Sequence, residues 1–197
     1  MRIIVATKNE HKIREINEVL SPLGFEVISQ TEAGIDIDAE ETGDTFEKNA
    51  LIKARAVSLV SDDYVLADDS GLCVDALDGR PGVLSARYAG ENATDSEKIQ
   101  KLLKELKDKT SRRAKFVTAV AFIMPDGTEL VTFGEVLGHI VNEPQGENGF
   151  GYDPVFCSDE LGKTFAMASA DEKNSVSHRS RALKALYNKL KEMSEEK

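Results

Sequence analysis

The sequence predicts an α/β protein with a mixed, twisted central sheet flanked by helices. First, short β-rich runs such as 3–6 and 64–67 alternate with segments whose apolar residues recur at helical spacing, a pattern typical of crossover connections. Second, two longer β-rich runs, 115–124 and 128–141, are joined by Pro125-Asp126-Gly127, a turn sequence that predicts an antiparallel hairpin. A sheet with both kinds of connection is mixed.

The first third of the chain predicts strand, helix, strand and helix in turn. The run 3–6 predicts a buried strand, and a turn before 25–29 leads to a second strand. The apolar face of the helix between them consists of Ile13, Ile16, Val19 and Leu20. The second helix is predicted over 45–60, and Asp44 followed by Glu47 resembles a capping box that starts it.

The central and C-terminal elements follow from the same signals. The strand at 64–67 runs into Asp68-Asp69-Ser70-Gly71, while the glycines and proline of 78–92 predict a loop. Thr94 and Glu97 form a full capping box, so a helix begins there. Residues 142–164 are predicted to be mostly loop, and the last helix covers roughly 177–192.

Composition limits the class of protein. The chain has 197 residues and a formal net charge of −10, which suits a single soluble domain over 1–197, organised in two lobes. The acidic excess repels phosphate backbones and argues against a nucleic-acid polymer as partner. No apolar run approaches the ~20 residues that span a bilayer, so we expect no membrane partner and a cytoplasmic location. Cys73 and Cys157 are expected to be reduced core residues.

Two polar segments in the first third are candidates for binding an anion and a metal. Thr7-Lys8-Asn9-Glu10-His11-Lys12 precedes a predicted helix, where unpaired N–H groups favour an anion; an ordinary N-cap with solvated lysines is the alternative. The run 32–47 has seven carboxylates and no Lys or Arg, and abuts the helix that carries Asn49 and Lys53. Glu40 and Glu41, within that run, are hard oxygen ligands of the kind that Mg²⁺ prefers.

Two further segments carry carboxylates and aromatic rings. In a strand, Asp68 and Asp69 would point to opposite sides and so serve different roles, whereas a turn at Asp68-Asp69-Ser70-Gly71 is the alternative. In Gly149-Phe150-Gly151-Tyr152-Asp153-Pro154, an aromatic ring could stack on a base or be pinned in the core. Lys173, His178 and Arg179 are donors suited to an acceptor-rich ligand edge, or exposed residues of a capped helix.

Taken together, these segments resemble the inosine triphosphate pyrophosphatase family, also called Ham1-like. The matching strings extend over nearly the whole chain. They are Thr7-x-Asn9-x-x-Lys12, Glu40-Glu41-Thr42-Gly43, Thr45-Phe46-x-x-Asn49-Ala50-x-x-Lys53-Ala54, Ala67-Asp68-Asp69-Ser70-Gly71-Leu72, Pro81-Gly82-Val83, Ser85-Ala86-Arg87-Tyr88, Gly149-Phe150-Gly151-Tyr152-Asp153-Pro154 and Ser177-His178-Arg179.

The resemblance implies a Mg²⁺-dependent pyrophosphatase that converts dITP, ITP, XTP or dXTP to the monophosphate and pyrophosphate. It implies a homodimer with each active site in the cleft between two lobes. Glu40 and Asp69 would hold Mg²⁺, and Asp69 would be the general base. The implied substrate-binding residues are Thr7, Lys8, Asn9, Glu10, His11, Lys12, Lys53, Ser70, Phe150, Gly151, Tyr152, Asp153, Lys173, His178 and Arg179.

Two alternatives stay open at the level of sequence. One is a related Maf-type pyrophosphatase that acts on dTTP or UTP. The other is a nucleotide-binding regulatory module without catalysis, against which the carboxylates at Glu40 and Asp69 argue, because a pure binder needs no group that activates water.

Overall fold

The computed structural model describes residues 1–195 and confirms a mixed α/β fold. The strands are β1 (Arg2–Val5), β2 (Glu26–Ser29), β3 (Tyr64–Val74), β4 (Arg113–Ile123), β5 (Glu129–Ile140), β6 (Phe156–Ser158) and β7 (Lys163–Thr164). The helices are α1 (Glu10–Leu20), α2 (Phe46–Ser58), α3 (Asp95–Glu105), α4 (Ala170–Val176) and α5 (His178–Glu195).

The seven strands form one sheet in the order β2-β1-β3-β4-β5-β6-β7. β1 pairs in parallel with both β2 and β3, with Ile4 opposite Ile28 on one side and Val65 on the other. β6 pairs antiparallel with β5 and with β7. The predicted turn joins the neighbouring strands β4 and β5, and the Met124 N–H donates to the Thr128 carbonyl at 2.9 Å. The sheet is therefore mixed, as the two kinds of connection predict.

The chain packs as two compact units, which are described separately below. Unit 1 comprises residues 1–69, 118–134 and the chain from 178 onward, and unit 2 comprises 70–117 and 135–177. The long strands β3, β4 and β5 each contribute residues to both units.

The core of unit 1 consists of two apolar clusters that alternate along its strands. Leu66 of β3 packs with apolar residues of α1 and α5, including Ile16 and Leu183. Its neighbour Ala67 packs with Ala50 and other residues of α2. Because successive strand residues face opposite sides, α1 and α5 cover one side of the sheet here and α2 covers the other.

Helix α5 lies directly against the backbone of β5. The Thr132 hydroxyl donates to the Ala182 carbonyl at 2.8 Å. A Cβ atom on Gly134 would overlap the His178 carbonyl oxygen and would lie 2.7 Å from the Ala182 nitrogen. The absence of a side chain at Gly134 therefore permits the close approach that places the first turn of α5.

The core of unit 2 is centred on three aromatic rings. Phe116 and Phe156 have ring centroids 4.6 Å apart, and Phe165 lies 5.2 Å from Phe156. Leu102 of α3 and Ile140 of β5 complete the same cluster and are fully buried. Such edge and offset contacts add about 0.5–1.5 kcal/mol per ring pair beyond the burial of apolar area.

The start of α2 differs from the prediction by one residue. Thr45 is the N-cap, and its side chain accepts the Lys48 N–H at 3.2 Å. The predicted cap, Asp44, instead binds the Lys48 ammonium at 2.6 Å, so that assignment was wrong. The capping box of Thr94 and Glu97 is confirmed.

Two segments predicted as loops contain some regular structure, and for a third segment the structure decides between a strand and a turn. Residues Gly82–Arg87 form a 3₁₀ helix within the predicted loop 78–92, and β6 and β7 lie within 142–164. Asp68-Asp69-Ser70-Gly71 belongs to the continuous strand β3 and is not a turn. Helix α4 was not predicted, although Ser169 and Glu172 form the capping box that begins it.

The remaining general predictions concern cysteines and membranes. Cys73 and Cys157 are both free thiols, and Cys157 is buried while Cys73 is half-buried. Among the helices of residues 1–195, none is both long and apolar enough to cross a membrane.

Candidate active site

Strand β3 separates the two adjacent carboxylates of unit 1. Side chains two residues apart on a strand face the same side, so Asp68, like Leu66, lies on the side covered by α1 and α5. Its neighbour Asp69 lies on the opposite side, which α2 covers. Each carboxylate therefore meets a different set of cations. This confirms the prediction that the two residues face opposite ways.

The Asp68 carboxylate contacts two cations. Its Oδ2 is 3.1 Å from the Lys12 Nζ of α1, and accepts from the Arg179 guanidinium of α5 at 3.0 and 3.2 Å. Arg179 also pairs with Glu15 of α1. The side chains of Asp68 and Arg179 are 0% and 2% exposed. Buried charges of this kind persist only when they are paired.

The electrostatics of this network fix the charges of its members. Burial raises the pKa of Asp68, but Lys12, Arg179 and Lys53 more than offset it and hold the pKa well below its ordinary value. Burial lowers the pKa of Arg179, yet Asp68 and Glu15 raise it overall. For Lys12, burial prevails over the attraction of Asp68, so its pKa is lowered. Asp68 is thus a permanent anion that anchors cations.

The Asp69 carboxylate faces residues of α2. The Asn49 Nδ2 donates to Asp69 Oδ2 at 3.1 Å, and the Lys53 Nζ lies 3.8 Å from Asp69 Oδ1. The same ammonium binds Glu41 Oε1 at 2.5 Å and donates to the Asp68 carbonyl at 2.8 Å. Burial raises the pKa of Asp69, Lys53 opposes this and Glu41 adds to it. Asp69 is therefore the more basic of the two carboxylates.

Lys53 retains its charge in this setting. Burial lowers its pKa, but the carboxylates of Asp69, Asp68 and Glu41 together raise it above the ordinary value. Of the predicted metal-ligand candidates, Glu41 contacts Lys53, while Glu40 is exposed.

The segment Thr7–Lys12 contains the N-cap of α1 and, in the first turn of that helix, an inward-facing lysine. Asn9 is the N-cap of α1, and its Oδ1 accepts the N–H groups of His11 and Lys12 at 3.0 and 3.2 Å. The Thr7 hydroxyl oxygen accepts the Asn9 N–H at 3.2 Å. Lys8 binds Asp36 at 3.0 Å, with its side chain 47% exposed. Within this predicted anion site, Lys12 therefore contacts the carboxylate network and Lys8 faces the solvent.

Unit 2 contains a different ionic site. The Lys173 Nζ of α4 binds Asp153 Oδ2 at 2.6 Å, and both side chains are less than 10% exposed. The ammonium lies 5.0 Å from the ring centroid of Phe150 and 5.5 Å from that of Phe165. The Phe150 N–H donates to Asp153 Oδ2 at 2.9 Å, which closes the loop around the lysine.

The glycine-rich loop of unit 2 is anchored by two more contacts. The Gly151 N–H donates to Asp95 Oδ2 at 2.6 Å. The Tyr152 hydroxyl donates to the Ser85 carbonyl at 2.9 Å, and burial raises the pKa of this phenol. Tyr152 is thus the pinned core aromatic, and Phe150 is the half-buried ring beside the ammonium.

The structure brings the predicted residues together in two groups. In unit 1 these are Lys12, Lys53, Asp69 and Arg179, and in unit 2 they are Phe150, Asp153 and Lys173. Glu10 and His11 are exposed, Ser70 is half-buried and His178 is buried. The sequence did not identify Glu15, Asp95 and Phe165, which contact Arg179, Gly151 and Lys173 respectively. Asp68 and Asn49 were noted only for their positions next to Asp69 and one helical turn from Lys53. The structure gives each of them a contact of its own.

A metal site is not apparent from clustering alone. Within residues 1–195, no group of three or more His, Cys, Asp or Glu side chains is arranged to hold a metal ion. Beside β3, the carboxylates of Asp69 and Glu41 both contact the Lys53 ammonium.

The fold and this charged centre define a class: an α/β protein whose paired carboxylates on one strand hold lysine and arginine side chains at fixed positions. The model of the Ham1 family matches residues 3–189, and the chain belongs to this family. It is 49% identical over 185 residues to a dITP/XTP pyrophosphatase of Bacillus subtilis, with 93% of each chain covered. It is 48% identical to a dITP/XTP pyrophosphatase of a Thermoanaerobacter species, with both chains covered completely.

Solved structures of the family show the same fold. The Ham1 protein of Staphylococcus aureus has a TM-score of 0.87 at 43% identity, covering 98% of this chain and 100% of that one. A HAM1 protein from Coxiella burnetii has a TM-score of 0.88 at 43% identity, covering 98% and 99%.

Proposed function

We propose that the chain hydrolyses the non-canonical purine nucleoside triphosphates dITP, ITP, XTP and dXTP to the monophosphate and pyrophosphate. Relatives named dITP/XTP pyrophosphatase align with nearly the whole chain and support this class of nucleoside-triphosphate diphosphatase. The observation on which the chemistry rests is that two neighbouring carboxylates of β3 have different contacts. Asp68 anchors cations, whereas Asp69 faces Lys53 and Asn49.

Cleavage between the α- and β-phosphates needs positive charge on the phosphate oxygens and a water in line with the leaving group. We assign the charge to Lys12 and Lys53, with the segment Thr7–Lys12 binding the triphosphate. Both ammonium groups also donate to the Asp68 carbonyl oxygen, at 3.4 and 2.8 Å. Strand β3 therefore positions both lysines before any ligand arrives, which reduces the ordering cost of binding.

Asp69 is the proposed general base. One of its oxygens is occupied by the Asn49 amide, and burial increases its basicity, so it can accept a proton from water. Asp68 is excluded from this role, because its cations suppress its basicity.

The donor set beside Asp69 fits a magnesium ion. Mg²⁺ prefers hard oxygen ligands, keeps several waters and uses one or two carboxylates together with substrate phosphates. Asp69 and Glu41 both contact the Lys53 ammonium, so two carboxylates surround one cationic position. We propose that Asp69 holds Mg²⁺ together with a carboxylate of the Glu40–Glu41 pair, Glu40 being the predicted ligand. When bound, the ion would neutralise charge on the phosphate oxygens.

Two variants separate the members of that pair. If Glu40 is the ligand, Glu40→Gln raises the Mg²⁺ concentration for half-maximal activity by about tenfold or more. Glu41→Gln is then expected to act through Lys53 and raise the KM for the nucleotide instead. The opposite pattern would move the metal role to Glu41, and no effect in either variant would remove both from it.

We propose that the nucleoside binds to residues 150–153 together with Lys173, His178 and Arg179. A lysine donor suits the 6-oxo acceptor of hypoxanthine and xanthine, whereas the 6-amino group of adenine would place donor against donor. The position of Lys173 over the Phe150 ring supports a flat ligand with an acceptor edge. The Arg179 guanidinium contacts Asp68 and Glu15, so its assignment to the base rests on the resemblance.

The same resemblance leads us to propose a cytoplasmic homodimer that keeps these nucleotides out of DNA and RNA, with no polymer or membrane as partner. Light scattering after gel filtration tests the dimer, for which a mass of twice 21.6 kDa is expected.

A nucleotide panel tests the activity. With Mg²⁺, ITP is expected to yield IMP and pyrophosphate, while ATP, dTTP and UTP react poorly. Release of orthophosphate would contradict the reaction, and preference for dTTP or UTP would favour the Maf-type alternative. Tight binding of ITP without product over hours would indicate a regulatory module.

A further inference from the structure

We infer that Asn49 is a positioning residue, which fixes the Asp69 carboxylate and the acidic segment 40–43 relative to each other. The inference rests on the proposed function of Asp69. It assigns a role to a side chain that the structure places behind the reacting groups.

Asn49 is a two-sided bridge. Its side chain is on α2, and the residue is 0% exposed. On one side its Nδ2 donates to Asp69 Oδ2 at 3.1 Å, and on the other its Oδ1 accepts the Gly43 N–H at 2.7 Å. A single amide thus joins strand β3 to the loop that carries Glu40 and Glu41.

The orientation of the amide follows from its partners. The Gly43 N–H can only donate, so the atom that faces it is an oxygen, and the nitrogen then faces the carboxylate. An aspartate at 49 would keep the contact to Gly43 but would place a second carboxylate against Asp69. An apolar residue would leave a half-buried N–H and a buried carboxylate oxygen without these contacts, and the loss at the buried oxygen alone would cost about 1–3 kcal/mol.

Gly43 adds an independent steric observation. A Cβ atom at this position would lie 2.6 Å from Asn49 Oδ1 and 2.7 Å from the Lys48 Cβ. The Thr42 N–H donates to the Glu40 carbonyl at 3.0 Å, which keeps the segment compact just before the contact. The loop can therefore approach the bridge only because residue 43 has no side chain.

Loss of the bridge should affect turnover more than nucleotide affinity. Asp69 would lose the hydrogen bond that orients its Oδ2, and the acidic segment would lose its contact to α2, while Lys12 and Lys53 keep their contacts to Asp68. Partners of this outer kind typically contribute about 10–100-fold to activity.

Two substitutions break the bridge from opposite sides. Asn49→Asp removes the donor to Asp69 but keeps the acceptor for Gly43, and Gly43→Ala displaces the loop while it keeps the Asn49 side chain. We expect kcat for ITP to fall by about tenfold or more in each, with a smaller change in KM. Asn17→Asp is the matched control, because Asn17 lies on the exposed face of α1 and accepts from the Ser21 hydroxyl. It should leave both constants unchanged.

Amide exchange in the metal-free protein tests the bridge without activity. In Asn49→Ala, which removes both contacts, the Gly43 N–H is expected to exchange about tenfold faster than in the wild type. Unchanged exchange, or wild-type kcat in Asn49→Asp and Gly43→Ala, would overturn the inference while the wild type remains active. A wild type that releases no pyrophosphate from ITP would instead overturn the proposed function.

Discussion

Lysine ammonium groups contact buried carboxylates in both units, but their surroundings differ. In unit 1, Lys12 and Lys53 share the residues of one strand, and each has more than one oxygen partner. In unit 2, Lys173 has a carboxylate on one side and the faces of two aromatic rings nearby. A network of several charges suits a ligand with several charges, whereas a single ammonium beside a ring suits a flat ligand with one acceptor edge.

The difference originates in local backbone structure. Strand alternation sends Asp68 and Asp69 to opposite sides, so one strand serves two groups of cations. In unit 2, the loop returns on itself at Gly149, whose φ of +76° suits glycine, and Asp153 accepts from the Phe150 N–H. In unit 1 several charged groups are therefore spread along both sides of one strand. In unit 2 a single ion pair is held beside one loop.

The largest effect is expected from substitution of Asp69, the proposed general base on β3. Asp69→Asn keeps the shape of the side chain but removes its charge and the base, so turnover of ITP should fall by about 10³-fold or more. Pyrophosphate release measures the loss, and circular dichroism checks that the fold is intact. Turnover near that of the wild type would show that β3 does not carry the base.

The next largest effect is expected from substitution of Asp68, the residue of β3 that anchors cations. Asp68→Asn removes the buried counter-charge that Lys12 and Arg179 share, so the free energy of unfolding should fall by about 3–5 kcal/mol. The control is Asp159→Asn, which breaks the exposed pair with Arg113 and should cost less than about 1 kcal/mol. Urea denaturation compares the two. Equal losses would mean that burial does not distinguish the Asp68 network from a surface pair.

A smaller effect tests the ammonium of unit 2. Lys173→Met removes the proposed donor to the base, so the preference for ITP over ATP should fall by about 10–100-fold. The ratio of kcat/KM for the two nucleotides measures it. Lys163→Met is the control, because its partly exposed ammonium pairs with Glu172. An unchanged preference would assign Lys173 to structure alone.

The smallest effect separates the two aromatic residues of the glycine-rich loop. Phe150→Leu should raise the KM for ITP by about tenfold, since a stacked base contributes about 1–3 kcal/mol. Tyr152→Phe removes only the bond to the Ser85 carbonyl, so it should lower stability by about 1 kcal/mol and leave KM unchanged. Reversed outcomes would exchange the roles of the two rings.

The sequence was sufficient where a local rule decides the structure. The alternation of Asp68 and Asp69 follows from strand geometry, and the helix after Thr94 follows from its capping box. At the start of α2 two adjacent residues could cap the helix, and the ion pair of Asp44 with Lys48 leaves Thr45 as the cap.

The sequence was insufficient where distant segments meet. Glu15 and Arg179 are 164 positions apart, and nothing local marks them as partners. The resemblance gave Arg179 a role at the base, whereas the structure shows its guanidinium between Asp68 and Glu15. Asp95 likewise reaches Gly151 across 56 positions of chain. Such pairs depend on the packing of whole elements.

The close approach of α5 to Gly134 has a consequence for how this chain can change. Any side chain at this position would push away the helical turn that carries Arg179 and thereby disturb a network that Gly134 does not touch. In a library of all single substitutions, position 134 should therefore be as intolerant as a position of the reaction centre, although it belongs to no motif. A designer who transfers this site to another scaffold must also keep a glycine at the position of β5 that faces the first turn of the helix.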